Sequence, residues 1–493
     1  MNILPYFVLL PLGGAFLLTM LNALFKKDIR FTFTEVLANL IVFSLFMSSL
    51  FLFGKTGSYA VGGWPPPLGI NFLLDGLSAL MLSVVNLIAF SAILFSVNYM
   101  KQYTARRYYY SLFLLMLAGM NGVILSGDLF NLFVFIEIAS IASYALVGFG
   151  TEAEELEASF KYMVMGGIAS TFILLSIAFL YSQFGVLNMA YISKAISETD
   201  FNYLLKFSLF LFITAFSIKG AFVPFHAWLP DAHPSAPAPI SAMLSGVLIK
   251  TLGIYALLRV GFSVYGYGEL LYIMRYLGII TIVVGGLMML KQDDIKRLMA
   301  YSSISNVGLI ILGISLGTPL GILGGLFHLL SHSIFKSLLF LNSGAIFYRI
   351  KTRSLRDMGG LNKVMPVTGG TSLIGSLSIS GLPPFNGFFS KLIIIIACIQ
   401  DGHPGFAFWA ILGSILTLSA FMKVQKMAFF GGLKEKYAEI KEVPFLMSLS
   451  MIILAVLCIA TPLLLLPQIK DVILTPAVDA VLNAGNYMAL VIK

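Results

Sequence analysis

Cysteine is nearly missing from this chain: Cys398 and Cys458 are the two in 493 residues, each inside an apolar run. Two isolated thiols make neither a disulfide framework nor a cluster for an iron–sulfur centre. Charge is thin as well, at 11% of residues. The sequence has no glycine-rich phosphate loop and no Cys/His spacing suited to a metal. These absences leave no cofactor to expect and exclude redox, nucleotide-hydrolysing and metal-dependent chemistry on the chain itself. The 31 Lys and Arg exceed the 22 Asp and Glu, giving a net charge of +9. The basic residues lie in short loops rather than in a stripe interleaved with aromatics, so nucleic acid is excluded as a partner.

Apolar surface is what the chain has in excess, with 59% hydrophobic residues and a mean hydropathy of +0.94. Apolar runs repeatedly reach about 20 residues, the length that crosses a bilayer. The fold class expected is all-α integral membrane. The first run has its charges after it and no basic segment before it, so it reads as a first span rather than a cleaved signal.

About fourteen spans are expected, at residues 3–25, 32–53, 72–99, 108–126, 130–149, 160–183, 203–224, 238–260, 271–290, 299–316, 320–348, 366–400, 406–430 and 445–466. With the N-terminus outside, the inner loops carry Lys26, Lys27, Arg30; Lys101, Arg106, Arg107; Lys291, Lys296, Arg297; Arg349, Lys351, Arg353, Arg356, Lys363; and Lys434, Lys436, Lys441. The short outer loops hold Lys55 and Lys194. This bias is the positive-inside rule, and it places both termini outside a prokaryotic plasma membrane.

The most unusual stretch is FSIKGAFVPFHAWLPDAHPSAPAPISAMLSGVLIKTLGIYALLR, residues 216–259. Pro224, Pro230, Pro234, Pro237 and Pro239 crowd into it, and each removes a backbone donor, so an apolar helix must stop or split there. Pro224-Phe225-His226-Ala227-Trp228 is echoed by Pro384-Phe385-Asn386-Gly387-Phe388. Paired interruptions in two halves are the sequence signature of inverted repeats. The expected division is an N-terminal three-helix segment (1–105), a first repeat (106–265, broken near 219–230), a second repeat (266–432, broken near 381–391), and a last span with its tail (433–493).

Charge inside spans is costly and marks ion pathways. Glu137 sits mid-span in NLFVFIEIASIASYAL, and Lys219 and Lys250 flank the first break. His328, His332 and Lys336 recur every fourth residue on one helical face, and Lys391 follows the second break. Lys161, one turn after Glu157, reads instead as an ordinary helix ion pair. Four lysines against one clear mid-membrane carboxylate cannot all stay charged in a low-dielectric interior, so some exchange protons. A line of such groups is a proton relay. The competing reading is a membrane anchor whose buried charges only fix helix packing.

GDLFNLFVFIEI, KGAFVPFHAWLPDAHPSAPAPISAMLSGVLIKTLGIY, KQDDIKRLMAYSSISNVG, HLLSHSIFKSLLFLNSG and RDMGGLNKVMPVTGGTSLIGSLSISGLPPFNGFFSK cover most of residues 70–430. Together they resemble the antiporter-like, proton-translocating subunits shared by complex I, Mrp-type cation/proton antiporters and membrane-bound hydrogenases. VGGWPPPLGINFLLDGLSALM looks most like the Mrp D subunit and its hydrogenase counterpart. The resemblance implies about fourteen helices with two inverted five-helix repeats, each holding one broken helix. It implies that Glu137 and Lys219 form a charged pair, that Lys250 connects the halves, that His328, His332 and Lys336 carry the axis onward, and that Lys391 ends it. The partners implied are the lipid bilayer, other membrane subunits and protons. Sodium, and soluble iron–sulfur or nickel subunits, depend on which complex it serves. A quinone-reductase pump subunit and a stand-alone antiporter are the remaining alternatives.

Overall fold

The computed structural model describes residues 2–24, 27–266 and 268–492. Lys26 and the side chains of Lys27 and Arg30, expected among the loop charges, lie outside that description. The chain is almost entirely helical, as a bilayer demands of backbone that has no water to bond.

In order, the helices are α1 (Tyr6–Leu24), α2 (Lys27–Leu50), α3 (Gly76–Tyr99), α4 (Arg106–Leu125), α5 (Leu129–Val147), α6 (Ala153–Phe184), α7 (Met189–Ser197), α8 (Tyr203–Lys219) and α9 (Leu229–Ser235). There follow α10 (Ala238–Val264), α11 (Gly268–Leu290), α12 (Ile295–Ile314), α13 (Pro319–Ile350), α14 (Pro366–Ser380), α15 (Asn386–Gln400), α16 (Pro404–Phe429) and α17 (Phe445–Leu465). A tail of α18 (Pro467–Ile473), α19 (Thr475–Leu482) and α20 (Ala484–Ala489) closes the chain. One short antiparallel hairpin, β1 (Gly57–Ala60) with β2 (Asn71–Leu74), leads into α3. Among the described residues, eleven helices are long and apolar enough to cross a membrane. Each of the expected spans overlaps helix, but the one at 72–99 begins in β2, the one at 203–224 runs past the end of α8, and the run at 366–400 is two helices, α14 and α15, around a break.

Burial sorts these helices into layers. The apolar window of α10 is 100% buried and those of α12 and α13 are 94% buried, whereas α2 and α16 reach 33%. The first three are therefore central, and the other two present an apolar face outward, where lipid covers it. Successive loops gather at alternate ends. At one end Arg353 meets Asp294 and Glu154, Arg356 meets Asp293, and Lys434 donates to the Arg356 carbonyl. This is the basic face. At the opposite end Asn188 donates to Asn71, and the tail folds back over the start of α3. Contact there is so close that a Cβ on Gly76 would come within 2.3 Å of the Pro476 carbonyl.

Both proline-marked breaks are real interruptions. Helix α8 stops at Lys219 and α9 resumes at Leu229. Helix α14 stops at Ser380, Gly381 turns through the left-handed region at φ 82°, and α15 begins at Asn386. The second break packs back on itself: a Cβ on Gly387 would lie 1.8 Å from the Ser378 carbonyl oxygen. Gly387→Ala therefore forces backbone apart and is expected to cost about 1–3 kcal/mol. A lowered thermal unfolding midpoint of the purified protein is the check.

Candidate functional site

The first break builds its own polar pocket. Because α8 ends at Lys219, the Ile218 carbonyl loses its helical partner, and Trp228 Nε1 donates to it at 3.0 Å. The Trp228 ring stacks on Tyr162 of α6 (centroids 4.1 Å), and Tyr162 meets Tyr144 of α5 edge-on at 4.5 Å. These aromatics pin the break against α5 and α6 and turn Lys219 inward. Lys219 is 4% exposed, so its helix end does not let it snorkel. Its Nζ donates to Ser140 Oγ at 2.8 Å and Tyr144 OH at 3.4 Å, and pairs with Glu137 Oε1 at 3.5 Å. Glu137, Ser140 and Tyr144 share one face of α5 by their spacing. The same Glu137 oxygen accepts from Ser170 Oγ of α6. A lysine with one long carboxylate contact and two hydroxyl neighbours can lose or gain a proton without stranding a partner.

Lys250 occupies a different setting. Helix α10 is wound with π-helical turns at Leu244–Leu248, Lys250–Tyr255 and Arg259–Val264. Such turns shift carbonyls away from their usual donors and recur at functional sites. Lys250 Nζ donates to two of them, Ser245 O at 2.7 Å and Gly246 O at 2.6 Å. Glu137 pairs with Lys219, and no ion pair to Lys250 occurs among the described residues. Lys219 and Lys250 share no hydrogen bond there either. Their helices touch through glycines, since a Cβ on Gly253 would lie 2.4 Å from Gly220 Cα.

Helix α13 sets out the face expected of it. Lys336 bonds Ser302 Oγ of α12 and lies over the rings of Phe340 (5.5 Å) and Phe421 (5.8 Å). The rings of His328 and His332 are 6.3 Å apart, and neither nitrogen of His332 has a hydrogen-bond partner among the described residues. His328 Nδ1 contacts Ser390 Oγ at 2.9 Å. The neighbouring Lys391 donates to the Ile379 carbonyl freed by the second break, at 2.7 Å. His332 lies within Coulombic range of Lys250, Lys336, His328 and Lys391. Glu137 and Lys219 thus form a close pair, and His328 and His332 are neighbours on α13 with His328 reaching Ser390 beside Lys391, while neither Lys250 nor Lys336 hydrogen-bonds another of the seven among the described residues. Among the described residues no three His, Cys, Asp or Glu side chains gather as a metal site.

Sequence reading missed four buried polar or charged residues, His233, Lys296, Asp75 and Arg259. His233 is fully buried with both nitrogens unpartnered among the described residues, stacked on Phe340 at 4.5 Å; between two prolines it reads as loop. Lys296, counted as a loop charge, is 3% exposed and donates to the Ala236 carbonyl at 2.7 Å. Asp75 and Arg259 form a buried bidentate pair across 184 residues of sequence. Lys161 makes its helix pair with Glu157 at 2.8 Å and a second bridge to Asp231 at 3.0 Å.

Residues 126–419 match the family described as NADH:quinone oxidoreductase/Mrp antiporter, TM, and residues 66–110 match the complex I chain 5 N-terminus. The chain is 34% identical to the N subunit of the NADH-quinone oxidoreductase of Desulforudis audaxviator, over 88% of this chain and 86% of that one. It is 32% identical to the D subunit of the Na(+)/H(+) antiporter of Alkalihalophilus pseudofirmus, over 88% of each. A chain in the solved structure of the membrane-bound sulfane sulfur reductase, an archaeal respiratory membrane complex, is 31% identical, with full coverage of both chains and a TM-score of 0.91. The chain is therefore a multi-pass membrane protein that belongs to the NADH:quinone oxidoreductase/Mrp antiporter transmembrane family.

Proposed function

We propose that this chain is a proton-translocating subunit of a multisubunit membrane complex, of membrane-bound hydrogenase or Mrp antiporter type. The observation that carries it is Lys219: a buried ammonium at a helix break, bound by two hydroxyls and a single long carboxylate contact. Glu137 sets the charge state of Lys219, Lys219 passes a proton towards Lys250, and Lys336, His332, His328 and Lys391 relay it onward. Water bridges the step from Lys219 to Lys250. The two proline-marked breaks are equivalent elements of two inverted repeats, and the basic face is the inner one.

Glu137→Gln keeps a hydrogen-bonding side chain beside Ser170 and removes the charge. It is expected to lower proton transport by about tenfold, the effect of roughly 1.4 kcal/mol of lost coupling, in a complex that still assembles. Proton uptake by reconstituted vesicles is the measurement, and unchanged uptake would take Glu137 out of the relay. Co-purification from the native membrane decides the complex. Iron and nickel with soluble subunits identify a hydrogenase-like assembly. Small hydrophobic subunits without metal identify an Mrp-type antiporter, with sodium as the exchanged ion.

A further inference from the structure

Helix α3 packs between two thinly covered helices, α2 and α17, whose apolar windows are 33% and 39% buried. Helix α2 rests on it through Phe43 and Phe46, whose rings meet Phe90 at 5.4 and 5.8 Å. Helix α17 rests on it through Ser450, which donates to the Ser91 carbonyl at 2.6 Å. Between these walls runs a groove with α3 as its floor, divided into two cavities. One, of about 460 Å3, lies towards the basic face, lined by Glu35, Leu40 and Phe43 of α2, Phe90 and Leu94 of α3 and Leu446 of α17. The other, of about 290 Å3, lies towards the opposite face, where Leu50, Leu80 and Leu464 line it. Phe90 lines the first and Phe46 the second, so their stacked rings are the wall between them.

That division decides what fits. A transmembrane helix of another subunit is about 10–12 Å across and needs an unbroken trough, which the Phe46–Phe90 stack denies it. A single acyl chain needs only one cavity. From Glu35 to Phe46, α2 rises about 16 Å at 1.5 Å per residue, which is about half of a 30 Å hydrocarbon core. The first cavity is therefore one leaflet deep and ends at the midplane.

Its mouth is charged. Glu35 stands just inside the apolar window of α2, which begins at Phe33, and pairs with Arg106 of α4 at 3.0 Å. Lys101, just beyond α3, is exposed and lies within Coulombic range of Glu35. It donates to the neutral Asn98 side chain at 3.2 Å and forms no ion pair among the described residues. Lys351 donates to Gln102 at 2.8 Å, which ties this end of α3 to the basic face. Two cations against one carboxylate leave net positive charge at the level where lipid phosphates lie. In the second cavity Ser83 and Thr461 both donate to backbone carbonyls, at 3.3 and 2.7 Å, so neither is free to select a headgroup.

We propose that this groove binds an anionic phospholipid, with one acyl chain filling the cavity from Glu35 down to Phe90 and the phosphate resting on Lys101 and Arg106. Arg106 then bridges Glu35 and the phosphate, and Lys101 supplies the balancing charge. The lipid splints α2 to α17 across the floor of α3. The relay reading above does not enter this inference.

The test uses the assembled complex in phosphatidylcholine vesicles that carry a photoactivatable lipid, either phosphatidylglycerol or phosphatidylcholine with a diazirine partway down one acyl chain. Labelled peptides are mapped by mass spectrometry after illumination. Phosphatidylglycerol is expected to label the wall at Leu40, Phe43 and Leu94 about tenfold more than phosphatidylcholine does. The exposed side of α16, at Phe408 and Ile415, is expected to label equally with both and is the reference. Lys101→Glu is expected to bring the two lipids to parity at the groove, and Leu94→Trp, which fills the cavity, to lower labelling there by both. Should Lys101→Glu fail to assemble, Lys101→Gln removes the charge without reversing it and makes the same comparison. Equal labelling of the groove by the two lipids in the unaltered complex means ordinary boundary lipid and overturns the proposal. So does a preference that the Lys101 variants leave unchanged, or groove labelling that Leu94→Trp leaves unchanged. A groove that takes no label because another subunit covers it overturns the proposal as well.

Discussion

Replacing Lys219 with alanine is expected to stop coupled ion transport, by at least about 100-fold, in a complex that still assembles. The size follows from what surrounds the side chain. Its neighbours are Ser140, Tyr144 and Glu137, and none can take over as a base that is cationic when loaded and neutral when empty. Assembly survives because Lys219 donates to hydroxyls and to a half-buried carboxylate that Ser170 also contacts, not to backbone that holds the break together. That task belongs to Trp228, through the Ile218 carbonyl. Lys219→Arg separates charge from proton exchange: a guanidinium keeps the ion pair and does not deprotonate. It is expected to be as inactive as the alanine variant. Proton uptake per assembled complex in reconstituted vesicles is the measurement. Full transport by either variant would remove Lys219 from the mechanism.

What could be read from the sequence was whatever violates the rules for a lipid-facing helix. Proline in an apolar run and charge at mid-span are both costly, so the two breaks and the lysines beside them stood out by composition alone. His328, His332 and Lys336 were legible for a second reason, since a spacing of four places them on one face of any helix. The π-helical turns of α10 were not legible. Nothing in the residue pattern of 244–264 sets these turns apart from ordinary α-helix. Lys296 was misjudged because two residues inside a span resembles a loop position, and its burial arises from α9 lying across it. His233 was hidden by the prolines around it. The Asp75–Arg259 pair joins the start of one span to the end of another, and each residue alone reads as an interfacial charge.

That pair carries the second large expected effect, and it contrasts with the first. Arg259 Nη1 donates to Asp75 Oδ2 at 2.7 Å, a second guanidinium nitrogen meets Oδ1, and Nε donates to Tyr255 OH at 2.9 Å. Asp75 also caps α3, accepting from Ser78 N at 2.9 Å. The Tyr487 ring of the tail lies 5.5 Å from the guanidinium. Every strong donor and acceptor here is taken, the arrangement of a structural lock joining α3, α10 and the tail. Glu137 and Lys219 have the opposite character, with one long contact and exchangeable hydroxyl neighbours. Asp75→Asn strands a buried guanidinium and is expected to destabilise the protein by about 3–5 kcal/mol. Combining it with Arg259→Gln removes both charges and is expected to recover much of that loss, a coupling that a double-mutant cycle on thermal unfolding in detergent reads directly. Transport per assembled complex stays near the wild-type value in all three variants. If Asp75→Asn instead leaves unfolding untouched and lowers transport, this pair belongs to the ion path, and the distinction between satisfied and loosely held charges as lock and relay fails.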